Sequence, residues 1–294
     1  MPLLPNNRAS RRSRVPMFPF DLFAARRRRR LKAAPPHRDW DRVVRRAVHR
    51  YETLGLDERE KLQTDAAVIA GEKNFEGCGG FRVDDVARLT VAAQIAYVAL
   101  GFEEEYFDAV KSVLIYPDAF VAPDAVPLAD DQIIAGDEER IGEASPGVVV
   151  LSWPDVVNAG RGPNRGRHVV AHELAHQLDI AAGGIPDGQP SIADPDLRAR
   201  WADVTEASFL RLEVNCRRGG RGHLDCYGAT DRVEFFAVAT EEFFQRPGEL
   251  RRSDRPLFDL LADFYKRQPS SSGRVYGDAP ATETSDAGGR ELKK

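Results

Sequence analysis

Apolar residues recur at helical spacing from Trp40 to Tyr51 and from Glu58 to Ile69, with Leu56-Asp57 offering an N-cap to the second segment. After the break at Gly77-Cys78-Gly79-Gly80, Val83, Val86, Ala87, Thr90, Ala93 and Tyr97 trace one face of a long helix that ends at Gly101. That face reads as core. Two β-rich runs follow, Ser112 to Tyr116 closed by Pro117 and Val148 to Trp153 closed by Pro154, and they predict short strands. Val169, Val170, Leu174, Leu178 and Ile180 then give the next segment an apolar side, and Gly183-Gly184 stops it. It reads as a buried helix. Further helices are expected over Asp231 to Phe244, before Pro247-Gly248, and around Leu257, Phe258, Leu261, Phe264 and Tyr265. The fold class that follows is α+β, mainly helical with a small mixed sheet.

With 294 residues and 42% hydrophobic content, the chain can bury one large core or two modest ones. The longest apolar stretch, Val91 to Leu100, is too short to span a bilayer, so no membrane partner is expected. Three cysteines, Cys78, Cys216 and Cys226, form no CxxC, which argues against a disulfide framework and for a reducing, cytoplasmic setting. Charge divides the chain. Residues 1–50 carry a net of +12 and the remaining 244 carry −16, for −4 in total. The run Arg26 to Arg30 with Lys32 could touch nucleic acid, but a solvated tail explains it better. The arginine-flanked, proline-broken Val15 to Phe20 lacks the apolar core of an export signal, and Met17 is a candidate translation start. The expected organisation is a disordered basic tail over 1–37, a helical region over 38–105, a catalytic domain over 106–268 and a disordered tail over 269–294.

The chemistry concentrates in one pentad, His172-Glu173-Leu174-Ala175-His176. Histidines four residues apart on a helix share a face and can bind one tetrahedral zinc, with Glu173 set to work on a metal-activated water. A third ligand must come from elsewhere. Glu234 and Glu241 lie two helical turns apart on roughly one face of the Asp231–Phe244 helix, and spacing alone does not rank them. Tyr227 near that helix's start could stabilise an oxyanion, although ordinary packing explains it better on the residues alone. His168 suits helix-start packing, and Asp179 suits a ring nitrogen or the cap of a neighbouring loop. Val148 to Leu151 reads either as a buried strand or as an edge strand beside the metal, where an extended peptide could pair. The loop Gly160 to Gly166 matches no phosphate-binding fingerprint.

Five motifs, Val113 to Pro117, Val149 to Trp153, Val169 to Asp179, Tyr227 to Val238 and Glu241 to Phe244, occur in an order that resembles the Mlc titration factor A (MtfA) family of bacterial zinc peptidases. The resemblance spans roughly residues 38–268 and implies a zincin-like catalytic domain, related in turn to the anthrax lethal factor class of gluzincins. In that class a Tyr sits seven residues before the ligand Glu, as Tyr227 does before Glu234. The likeness therefore implies Zn2+ on His172, His176 and Glu234, Glu173 as general base, Tyr227 as transition-state stabiliser and Glu241 in support. It implies hydrolysis of a peptide or protein substrate, with aminopeptidase-like action. It also implies an alternative role in which the protein binds a transcriptional repressor, Mlc, independently of catalysis. One departure is that residues 117–167 contain no His, whereas some family members carry one between the two strands.

Overall fold

The structure, a computed structural model, describes residues 19–103, 107–118, 146–162, 167–183, 185–220 and 222–269. Helix α2 (Trp40–Ala47) buries Trp40, Val43, Val44 and Ala47, the spacing of a single helical face. Helix α3 (Leu56–Glu72) begins where the Glu58 carboxylate accepts from the Gly55 N–H at 3.0 Å. Asp84 opens helix α4 (Asp85–Ala99) by accepting from the Ala87 N–H at 2.7 Å. From Leu89 to Ala99 every residue of α4 is buried, since α2, α3 and the later helices Trp153–Gly160 and Val169–Ile180 pack around it.

Strand β1 (Asn74–Gly77) pairs with β2 (Ser112–Tyr116), which pairs with β3 (Val148–Ser152). Both pairings are parallel, so the sheet of the described residues is not the mixed one expected from sequence. For β1 and β2 the connection explains this: α4 carries the chain back between them, and such a crossover leaves two strands parallel. Val113 and Ile115 stand level with Val149 and Leu151, and all four are fully buried. The strand expected to reach Trp153 ends at Ser152 instead. Trp153-Pro154 opens helix α5 (Trp153–Gly160), since proline suits a helix's first turn. Because β1 comes from the expected N-terminal region and β2 from the expected catalytic one, the two share a sheet and one hydrophobic core.

Three further features depart from the sequence expectations. The basic tail expected to be disordered over 1–37 is helical from Pro19 to Lys32 (α1). Arg28 in α1 binds Glu72 at 2.9 Å and Asp108 at 2.5 Å, and Leu31 lies against Gly71, so acidic partners in the body hold this helix. Residues 1–18 and 270–294, which hold the rest of the expected tails, lie outside the described residues. A 23-residue helix, α7 (Pro195–Arg217), starts at Asp194, which accepts from the Asp196 and Leu197 N–H groups. Finally, Cys216 at the end of α7 and Cys226 are joined in a disulfide, against the expectation of none, and Cys78 is left as the free thiol.

Candidate metal centre

Helices α6 (Val169–Ile180) and α8 (Arg232–Gln245) pack face to face and carry the pentad and the two competing glutamates. His168 starts α6: its Nδ1 accepts from the Ala171 N–H at 3.2 Å, the helix-start role expected of it. Asp231 starts α8 in the same way, accepting from the Glu234 N–H at 2.9 Å. Glu234 is thereby fixed in the first turn.

The Nε2 atoms of His172 and His176 lie 3.1 Å apart, and the Glu234 carboxylate stands 3.3 Å from the first and 3.6 Å from the second. Ligands about 2.0–2.1 Å from a tetrahedral ion stand roughly 3.3–3.4 Å from one another. The three side chains fit that figure. They form the group of described residues able to hold a metal ion. Glu234 Oε2 is buried without a hydrogen-bond partner, although a buried carboxylate oxygen ordinarily has one. A cation between these groups would satisfy it.

Glu241 occupies the other side of the His172 ring. Its Oε1 meets His172 Nδ1 at 2.8 Å, while its Oε2 accepts from the His168 N–H at 2.8 Å. The two nitrogens of one imidazole point in opposite directions, so the glutamates that spacing could not rank take different positions: Glu234 among the converging atoms, Glu241 behind them. Asp179 accepts from the Gly188 N–H at 2.8 Å and so caps a loop. Gln177, which sequence reasoning passed over, accepts from the Gly147 N–H at 3.0 Å and donates to the Val148 carbonyl at 3.1 Å. It ties β3 to the residue that follows His176; an amide beside a ligand on a buried helix is the only sign of this in the sequence.

The titratable groups of the site are shifted by this packing. Burial opposes a charge on His172, yet the Glu234 and Glu241 carboxylates beside its two ring nitrogens prevail and raise its pKa to about 10. Burial, followed by the neighbouring His172 charge, pushes His176 down to about 4. Burial works to raise Glu234 too, but His172, His176 and Tyr227 outweigh it and hold it below the usual carboxylate range. Burial raises Glu173 to about 7, with Glu234 and Glu241 adding to the shift while His172 opposes it. Tyr227, 41% exposed, places its ring centroid 6.2 Å from that of His172, under the Arg167 guanidinium at 4.6 Å. Burial and then the Glu234 charge raise its phenol.

Residues 22–266 match the model of a family described as glucose-regulated metallo-peptidase M90. An uncharacterised protein of Synechocystis is 30% identical over 242 residues, covering 80% of this chain and 85% of that protein. Mlc titration factor A of Salmonella paratyphi A is 27% identical over 81% of this chain and 89% of its own length. The protein of the same name from Serratia proteamaculans is 30% identical over 73% and 82% respectively.

Proposed function

The chain belongs to the glucose-regulated metallo-peptidase M90 family, and from that premise we propose that it is a zinc peptidase centred on His172, His176 and Glu234. The observation that carries this reading is the convergence of two Nε2 atoms and a carboxylate whose buried Oε2 lacks a hydrogen bond. Two imidazoles and one carboxylate are a donor set suited to zinc with one position left open. A bound zinc ion supplies Lewis acidity that polarises the scissile carbonyl and makes water a competent nucleophile.

The chain's own residues do the rest. Glu173, held near neutral pKa by burial, accepts a proton from the attacking water and passes it to the leaving amine. The Tyr227 hydroxyl donates to the oxygen on which negative charge develops. Glu241 accepts from His172 Nδ1–H and so keeps the Nε2 lone pair directed at the metal. An extended substrate is expected to pair with β3, which stands at the edge of the described sheet. Small peptides with a free N-terminus are the first substrates to test, since aminopeptidase-like action is the family expectation.

The test compares wild type with Glu173→Gln by metal analysis and by turnover of a peptide library with free and blocked N-termini. The expected result is one zinc per chain in both and hydrolysis only in wild type; equal turnover would remove Glu173 from the reaction. A second reading rests on the name of the relatives, Mlc titration factor A: this chain captures a transcriptional repressor. Pull-down with Glu173→Gln distinguishes the two readings, because capture without turnover of any peptide by wild type favours the second.

A further inference from the structure

We propose that the Cys216–Cys226 disulfide positions Tyr227, so that thiol reduction of this bond slows catalysis without releasing the metal. This rests on the reading of Tyr227 as an oxyanion donor. Tyr227 directly follows Cys226 in a short helical turn, Cys226–Ala229, that packs on both α7 and α8. The turn is tightly seated at Gly228, where a Cβ would come within 3.1 Å of Val238 and 3.3 Å of Leu212. The phenol itself is held less firmly. Its ring is 41% exposed, its hydroxyl meets the Glu234 carboxylate, and its cover is Arg167, whose 3.3 Å ion pair with Asp225 is also exposed. Exposed pairs of this kind restrain little. The covalent restraint, one residue away, is the disulfide to the end of α7.

The bond is also open to exchange. Cys226 is exposed and Cys216 half-buried, so the pair lies at the protein surface. Reduction takes two equivalents of a low-molecular-weight thiol. The first attacks one sulfur to give a mixed disulfide and release one cysteine thiolate, which takes up a proton. The second displaces the small molecule as its own disulfide and leaves two cysteine thiols on the protein. A low-molecular-weight disulfide reverses both steps.

The experiment uses the full, zinc-loaded chain with Cys78→Ser, so that alkylation reports only the pair. Samples are equilibrated in reduced or oxidised glutathione, and a Cys216→Ser/Cys226→Ser protein serves as a permanently open form. Peptide turnover, zinc content and hydrogen exchange over residues 224–231 are followed. Opening the bond is expected to lower kcat about tenfold with KM and zinc content unchanged, and to speed exchange over 224–231. In Tyr227→Phe, kcat is expected to start low and fall no further on reduction. Unchanged kcat and exchange on reduction would overturn the proposal, as would an equal further loss in Tyr227→Phe. A Tyr227→Phe protein as active as the oxidised parent also overturns it while leaving the roles of the metal and Glu173 intact. If no peptide is cleaved in either state, the peptidase reading fails, and the exchange measurement alone decides whether the bond holds the turn.

Discussion

Two buried helices of this protein use their burial in opposite ways. Helix α4 is enclosed by apolar neighbours, and the side-chain amide of its Gln94 donates to the Ala47 and Val156 carbonyls at 2.9 Å each. Helix α8 buries Glu234, Glu241 and Glu242. Of these, Glu242 has both oxygens hydrogen-bonded by Arg246 one turn on, and Glu241 spends both oxygens on His172 and His168. Glu234, whose carboxylate stands beside two histidine nitrogens, has one oxygen without a hydrogen bond. Burying a polar atom is costly unless it is hydrogen-bonded, so the two carboxylates with both oxygens bonded build structure and the one with an unbonded oxygen marks where a ligand belongs.

Four experiments would break or sharpen this contrast. Glu173→Gln has the largest expected effect: turnover falls on the order of 10³-fold, while zinc content and melting temperature stay at wild-type values. On the structural side, Ile95→Ala in α4 should destabilise the fold by about 2–5 kcal/mol through a core cavity, with zinc still bound stoichiometrically; chemical denaturation and metal analysis together check this. Loss of zinc at full stability would contradict the division between the two helices.

Acid separates them further. Burial holds His49 down to about 4 and His168 to about 3, both below the ordinary 6.5. Groups depressed in this way stabilise the fold above the unfolded pKa, and that stability is lost as pH falls from 6.5 toward the folded values. At pH 5 the loss should be about 2 kcal/mol for each histidine, measurable as a lower unfolding midpoint than at pH 7. His49→Gln should flatten part of that dependence. Last, Glu241→Gln should weaken zinc binding about 10–100-fold through the loosened His172 ring, whereas Glu234→Gln should abolish stoichiometric binding. Equal affinities in a competitive chelator titration would erase the distinction between the two glutamates.

Much of this arrangement is legible in the sequence where periodicity and length agree. The strands at Ser112–Tyr116 and Val148–Ser152, and the helices bearing the pentad and Glu234, are long or apolar enough for their pattern to speak. Strand β1 has only four residues, with Phe75 alone buried, too short for an alternation to show. Helix α7 was missed although Asp194-Pro195 is a ready start signal, because Leu197, Trp201, Phe209 and Leu212 are scattered among charged residues. The arginines of α1 look like a solvated run until their acidic partners, Glu72 and Asp108, are brought beside them from far along the chain. The rank of Glu234 over Glu241 depends on which face of one imidazole each meets, and spacing along a helix does not encode that.

The hydrogen bond from His172 to Glu241 joins residues 69 apart in sequence. At about 5–20 residues per second of synthesis, α8 leaves the ribosome roughly 3–14 s after the pentad. For those seconds the helix that carries Glu173 exists without Glu234 and Glu241, so on the proposed peptidase reading a nascent chain has no finished site with which to cut its neighbours or itself.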